Sequence, residues 1–233
     1  MATFNIKDPR EIAAYTAGEA AHYLGVPVST LRAWFTGQKH ASGGKTKFRA
    51  VIKPADPRAL SLSFSNLVEA YVLKAIRRER KIGLPTIRRS LGYLTEKLGS
   101  ERPLLNAQFA TKGAELLVEH LGEIINLSQH GQVEMTHMIM AYLERVERDA
   151  KGVPIKLYPF MRSQPLREQP RSVVIDPRVS FGRPVLAGTG IPTAVLAEQF
   201  KAGDQPKDLA KEYGAEEQAV WDAIRCELDL QAA

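Results

Sequence analysis

The alternation of apolar and polar positions first becomes helical near Thr16. Thr16 followed three residues later by Glu19 is typical of a capping box, the arrangement in which the two side chains cap the start of a helix. The apolar stripe that follows consists of Ala20, Ala21 and Leu24. Gly25 stands where a left-handed C-cap is expected, and Pro27 favours the start of a second helix through Trp34. Two short helices joined by a glycine turn predict a helix-turn-helix.

The next segment predicts a small wing and then a second pair of helices. Residues 37–58 lose the helical period and are rich in glycine and lysine, and residues 48–52 alternate as in a strand. Ser65 or Asn66 is expected to cap a third helix. Pro85 separates it from a fourth helix over about 86–98. We assign residues 1–99 to one domain.

The middle of the chain predicts a small α+β unit over residues 100–160. Apolar runs at 116–118 and 124–127 flank Gly122 and indicate a β-hairpin. An amphipathic helix is expected over 133–149, followed by a strand over 155–158. Met135, Met138 and Met140 favour core or dimer packing, with a ligand pocket as the alternative.

The last third predicts a compact helical domain after a linker. Residues 161–172 carry prolines and arginines with few apolar side chains, which is typical of a linker. A short strand over 173–175 and a turn-rich stretch over 176–192 follow. Helices are expected over 193–202, 206–213 and 216–230. The predicted fold is therefore mainly α with a small α+β middle, and its last domain, residues 173–233, is trihelical.

The charge is concentrated in the first domain. The chain of 233 residues has a net charge of +6, but residues 1–99 carry 17 Lys and Arg against 7 Asp and Glu. A positive excess on a helix-turn-helix favours a nucleic-acid partner. The single cysteine, Cys226, excludes an internal disulfide. With neither a signal peptide nor a long apolar run evident, we expect a soluble cytoplasmic protein that does not enter a membrane.

The second helix of the pair offers side chains suited to DNA. Arg32 can bind guanine through two hydrogen bonds, and Ser29 and Thr30 suit phosphate or base contacts. The lysines of the wing and Arg49 would lie over the flanking backbone. The alternative is a helical hairpin that only packs, with these residues as its solvated face.

Residues 15–34 and the segments 62–69 and 86–89 together resemble the winged helix-turn-helix of the MerR family. The resemblance implies DNA contacts from the recognition helix and the wing, and it adds phosphate contacts from the start of the fourth helix. The expected DNA-binding residues are Ser29, Thr30, Arg32, Trp34, Lys39, Lys45, Lys47, Arg49, Arg88 and Arg89.

The C-terminal segment resembles a domain family of unknown function, DUF433. The resemblance rests on the motifs at 176–177, 182–186, 188–189, 191–192, 202–203 and 213–214. One departure is Gly190, where many members have Arg or Lys after the Gly-Thr pair. With the MerR-like start, the whole chain is similar to the long VapB-type antitoxins, which implies operator DNA and a PIN-like ribonuclease toxin as partners.

The resemblance implies an autorepressor and antitoxin, and a homodimer is expected because helix-turn-helix proteins usually bind two half-sites. Candidate toxin-binding residues, chosen on composition, are Arg162, Arg167, Arg171 and Arg183. A ligand-responsive MerR-type regulator without a toxin is the alternative. The five histidines have no metal-ligand spacing and no catalytic constellation stands out, so we expect neither an enzyme nor a cofactor.

Overall fold

The computed structural model describes residues 8–39, 46–77, 82–159 and 170–228. The N-terminal part contains α1 (Ala17–Leu24), α2 (Val28–Thr36), β1 (Gln38–Lys39), β2 (Thr46–Phe48), α3 (Phe64–Arg77) and α4 (Leu84–Leu98). The middle part contains α5 (Gly113–Ile125), α6 (Gln129–Leu143), β3 (Val146–Arg148) and β4 (Pro154–Leu157). The last part contains β5 (Val173–Val174), β6 (Val185–Leu186), α7 (Thr193–Ala202), α8 (Pro206–Tyr213) and α9 (Glu217–Leu228). The predicted mainly α fold is confirmed.

The helix pair α1–α2 forms as the sequence predicts. The Thr16 backbone N–H donates to Glu19 Oε2 at 2.8 Å, and the Glu19 N–H donates to Thr16 Oγ1 at 3.2 Å, which completes the capping box. Gly25 ends α1 in the left-handed region, with φ +58°. Because glycine enters this region without a Cβ clash, the chain can turn sharply into α2.

The wing is a two-stranded antiparallel hairpin in which β1 pairs with β2. It lies earlier than expected, because only residue 48 of the predicted run 48–52 belongs to a strand. The N–H groups of Val51 and Ile52 instead donate to the Trp34 carbonyl, at 2.8 and 3.1 Å. These two bonds fix the end of the wing segment on α2.

Helix α3 is the centre of the larger core. Its side chains are buried around most of its circumference, and it packs against α1, α6 and the short 3-10 helices beside it. Ser63 precedes the helix, and its Oγ accepts from the Asn66 N–H at 3.2 Å. The cap is therefore Ser63 rather than Ser65 or Asn66. Burial around most of the helix makes α3 the element against which the others pack.

The β-hairpin predicted around Gly122 is wrong, because residues 113–125 form α5. Leu117, Val118 and Leu121 lie three and four residues apart and are all buried, which is the helical period. Gly122 is a packing glycine, since a Cβ there would lie 2.6 Å from the Gln132 Nε2 of α6. The segment ends at Asn126, in the left-handed region at φ +57°.

The helix predicted over 133–149 is shorter at its end, because α6 stops at Leu143. Residues 146–148 form β3, which pairs antiparallel with β4. The predicted strand over 155–158 corresponds to β4. Met135 is buried, and Met138 and Met140 pack against the core. This placement agrees with packing as the use of the methionine stripe.

The last part forms a second core, and the three predicted C-terminal helices are confirmed as α7, α8 and α9. The predicted strand at 173–175 is present as β5, which pairs with β6. Ile175 exchanges backbone hydrogen bonds with Leu157, at 2.8 and 2.9 Å, and its side chain belongs to the larger core. The start of the last part is thus joined to β4 of the middle part. No helix among the described residues has both the length and the apolar character needed to cross a membrane.

Candidate nucleic-acid interface

The recognition helix of the predicted motif, α2, separates its residues cleanly into two faces. Leu31, Trp34 and Phe35 are buried and hold the helix on α1 and the core. Ser29 and Arg32 are exposed on the other face, and Thr30 is half-buried. The exposed face starts at the N-terminal half of the helix, which is the part that enters a major groove in this class of motif.

A groove of about 700 Å³ runs beside this face, between α2 and the start of α4. It is lined by Ser29, Thr30, Arg32, Ala33, Trp34, Thr36, Gly37, Arg77, Gly83, Leu84 and Pro85. Helix α4 starts at the groove with Gly83 as its N-cap, and no side chain caps this end of the helix. A helix N-terminus carries a partial positive charge that favours anions. The groove therefore has the polarity that a phosphate backbone requires.

The start of α4 supplies further positive charge. Arg88 and Arg89 lie in its first two turns, and both are exposed. Arg49, between the wing and α3, is exposed as well. Together with Arg32 these side chains place exposed cations on α2, on α4 and on the segment after the wing, and exposed cations are what contact with a phosphate backbone requires.

Four of the residues expected to contact DNA are not seen as exposed side chains in the described part of the chain. Trp34 is only 2% exposed, so its ring supports α2 from behind and has almost no surface with which to contact DNA. Lys45 lies outside the described residues, as do the side chains of Lys39 and Lys47. The candidate interface, as far as the structure describes it, therefore consists of Ser29, Thr30, Arg32, Arg49, Arg88 and Arg89.

Lys74, which sequence reasoning did not single out, holds the end of α1 next to the turn into α2. Its Nζ donates to the Leu24 carbonyl at 2.7 Å, at the C-terminus of α1. The ammonium group donates to a carbonyl that has no partner within the helix. Its positive charge also interacts favourably with the negative end of the helix dipole. The sequence gives little indication of this contact, because Lys74 and Leu24 are 50 residues apart.

The back of α1 is held by the C-terminal part of the chain. Arg183 forms an ion pair with Glu19 of the capping box and donates to the Tyr23 hydroxyl at 3.2 Å. Burial acts to raise the pKa of Glu19, but hydrogen bonds from Thr16 and Arg183 outweigh it and the pKa lies below its usual value. Arg183, expected to bind a toxin, is thus engaged within the chain and orients the helix pair.

Of the other three arginines that were expected to bind a toxin, only Arg171 lies within the described residues. Arg171 is exposed, donates to the Glu144 carbonyl at 2.8 Å, and lies over the Tyr158 ring at 5.3 Å from its centroid. Arg162 and Arg167 lie outside the described residues. The structure therefore brings Arg171 to α6 and Arg183 to α1, on different parts of the molecule.

Two family models match the chain, one at each end. A model described as "Putative DNA-binding HTH domain" matches residues 13–91, which include α1, α2, the wing and the start of α4. A model described as "Protein of unknown function (DUF433)" matches residues 173–225, which include β5 to α9. The first match therefore covers the candidate interface, and the second covers the domain that holds the back of α1.

Two proteins of Mycobacterium tuberculosis are similar over almost the whole chain. "Putative antitoxin VapB45" is 29% identical over 92% of this chain and 93% of its own length. "Uncharacterized protein Rv2308" is 22% identical over 90% of this chain and 88% of its own length. The similarity includes both ends and the middle, so it extends to the arrangement of domains.

The fold also has a solved counterpart. The crystal structure of Rv2018 from Mycobacterium tuberculosis superposes with a TM-score of 0.65, over 91% of this chain and 97% of the other, at 24% identity. At that identity the likeness is one of fold. The chain thus combines a DNA-binding type of helix-turn-helix domain with a DUF433 domain, and along almost its whole length it is similar to a protein described as a putative antitoxin of the VapB type.

Proposed function

We propose that the protein binds operator DNA and represses its own operon, and that it neutralises a partner toxin by direct binding. The observation that carries the DNA half is the groove between α2 and the uncapped start of α4, with Arg32 beside it and Arg88 and Arg89 following it. In this proposal α2 enters the major groove, and Arg32 binds a guanine edge. Arg49, Arg88 and Arg89 bind the backbone.

The toxin half of the proposal is supported by the similarity to an antitoxin over both domains. We propose a PIN-like ribonuclease as the toxin and a homodimer as the DNA-binding form. Dimers of helix-turn-helix proteins bind half-sites about 34 Å apart, which is one turn of DNA. A palindromic operator with that spacing would match a two-fold dimer.

The DNA half is tested by titrating the purified full chain with its own upstream region. A duplex of the same composition in scrambled order is the control. We expect binding to the native duplex at least about 1,000-fold tighter at physiological salt, since specific sites exceed non-specific ones by that much or more. Equal affinity for the two duplexes would remove the operator from the proposal.

The toxin half is tested by co-expressing the chain with the product of the neighbouring reading frame. We expect the two proteins to co-purify through size exclusion as one complex and the chain to restore growth of cells that express that product. Separate elution together with continued growth arrest would contradict the antitoxin function while leaving DNA binding untouched.

A further inference from the structure

Phe181 is an exposed aromatic side chain held on a backbone that does not suit it. It is 94% exposed, the highest value among the large apolar side chains of the described residues. Its φ is +55° and its ψ is 29°, and the preceding residue, Ser180, also has a positive φ of +46°. Residues with a Cβ adopt the left-handed region only at a cost, which is highest for bulky ones such as Phe, so two in succession are unusual.

The turn that presents Phe181 is fixed by hydrogen bonds on both sides of it. The Gly182 N–H donates to the Val179 carbonyl at 2.9 Å, and the Arg183 N–H donates to the Ser180 carbonyl at 3.0 Å. Ser180 Oγ donates to the Gly190 carbonyl at 3.1 Å. The ring therefore stands on a preformed support, which lowers the entropy lost when it is bound.

Within the described chain the ring gains almost no burial that would offset the backbone strain. Glycine or asparagine would occupy the position with less strain, and a polar side chain would be better hydrated. Strained positions that persist without a gain in packing are concentrated at functional sites. We infer that Phe181 is an anchor that inserts into an apolar pocket of a partner protein, and this inference rests on the proposed toxin partner.

The charges around the turn favour a protein over a nucleic acid. Arg183 is paired with Glu19, and Arg178 is paired with Asp176 at 3.1 Å, so the two arginines within three residues of Phe181 in the sequence are already matched by carboxylates. Binding to a phosphate backbone draws its affinity from cations that displace counterions. A neutral surface with one protruding aromatic ring instead resembles the centre of a protein interface.

The position of the turn also separates it from the DNA-binding groove. The hydrogen bonds that tie it to the N-terminal part run to Tyr15, Glu19 and Tyr23, and none of these three lines the groove between α2 and α4. The partner would therefore bind behind α1, with α2 and the start of α4 left open. A partner docked there would touch the same turn that orients α1.

The test compares Phe181→Gly with the wild-type full chain, using the product of the neighbouring reading frame as the probe in calorimetric titration. We expect the variant to bind that product at least about 30-fold more weakly, which corresponds to a hot-spot contribution of about 2 kcal/mol. Its thermal midpoint should be equal to that of the wild type or higher, because glycine relieves the strained φ. If the Phe181 side chain stabilised the fold instead, the thermal midpoint of the variant would be lower than that of the wild type.

Two control variants make the comparison specific. Val133→Ala removes another exposed apolar side chain, on α6, and should leave the affinity unchanged. Phe181→Tyr keeps the ring and should retain the affinity to within a few-fold.

The outcomes separate this inference from the proposed function. If the wild type binds the product and Phe181→Gly binds it equally well, the anchor is overturned and the antitoxin function stands. If the wild type does not bind it, both are overturned. A variant that loses affinity for operator DNA alone would assign the ring to nucleic acid, and one that loses only self-association would assign it to a second copy. Either result would overturn the inference.

Discussion

The Tyr15 hydroxyl donates to the Gly182 carbonyl at 2.9 Å, and this buried hydrogen bond joins positions 167 residues apart. Tyr15 immediately precedes the capping box of α1, and Gly182 lies in the turn that carries Phe181 and Arg183. Burial raises the pKa of Tyr15, which keeps the hydroxyl in its neutral, donating form. Gly182 has a φ of +77°, and a Cβ there would overlap the Tyr15 hydroxyl. The contact therefore requires both residues.

We expect Tyr15→Phe to lower the free energy of unfolding by about 1–3 kcal/mol, because it leaves a buried carbonyl without its donor. Urea denaturation followed by circular dichroism measures the change. Tyr213→Phe is the matched control, since it removes a half-buried hydrogen bond to Gln199 of 2.9 Å within the C-terminal domain. A loss at Tyr15 no larger than at Tyr213 would contradict the role given to this contact.

Arg32→Ala should weaken binding to the operator by about 1–3 kcal/mol if the side chain binds a guanine edge. Binding to non-specific DNA should change much less, so the ratio of the two affinities should fall. Arg225→Ala is the control, because Arg225 is an exposed arginine on α9 and lies over Trp221. Gel-shift titrations give both affinities, and an unchanged ratio would remove Arg32 from base recognition.

Substituting both Arg88 and Arg89 with alanine should weaken binding to specific and non-specific DNA by the same factor. If each contacts one phosphate, the slope of log affinity against log salt should fall by about 0.9 per residue. Fluorescence anisotropy between about 50 and 200 mM salt measures this slope. An unchanged slope would indicate that the start of α4 does not touch the backbone.

Gly25→Ala should destabilise the protein by about 1 kcal/mol, because alanine is strained at the φ of +58° that ends α1. Gly92→Ala in α4 is the matched control. Its φ is not positive and a Cβ there meets nothing within 4 Å, so it should stabilise the protein by about 0.5–1 kcal/mol through helix propensity. Thermal unfolding of the two variants should therefore shift in opposite directions. A downward shift for both would contradict the assignment.

Acidification should weaken, by a small amount, the contact between α1 and the C-terminal domain. The pKa of Glu19 is held below its ordinary 4.5, so its ion pair with Arg183 stabilises the folded state fully above about pH 4.5. That stabilisation is lost as the pH falls through the lowered value. For this partly exposed pair the loss should stay under about 1 kcal/mol.

Glu19→Gln isolates the contribution of that carboxylate. The variant should be less stable than the wild type at pH 7, and the difference should shrink as the pH falls below 4.5 through the lowered pKa of Glu19. Unfolding free energies measured across that range check the expectation. A difference that stays constant with pH would show that charge on Glu19 contributes nothing.

Local chemistry made the helix pair predictable. The capping box at Thr16 and the left-handed cap at Gly25 depend on residues within one turn of each other, so the printed sequence contains all the information they need. The contact between Glu19 and Arg183 could not be predicted from the sequence, because it depends on how two distant segments pack. The sequence therefore indicated Arg183 as a candidate binding residue because of its charge, but it did not indicate that Glu19 is its partner.

The error around Gly122 has a physical reason of the same kind. Glycine between two apolar runs is typical of a hairpin turn, but here it gives Gln132 of α6 room to pack against α5. Single-sequence patterns do not distinguish a glycine that turns the chain from one that admits a neighbouring helix. The shortening of α6 likewise reflects the pairing of residues 146–148 with β4, which is a tertiary interaction.

The pairing of Leu157 with Ile175 bears on how the molecule would respond to a broken backbone. The residues on either side of the segment 160–169 are held together by two backbone hydrogen bonds and by the placement of Ile175 in the larger core. Cutting the chain anywhere within that segment would leave these contacts intact. The two fragments should therefore stay associated and, when co-expressed as separate polypeptides, reassemble into one complex.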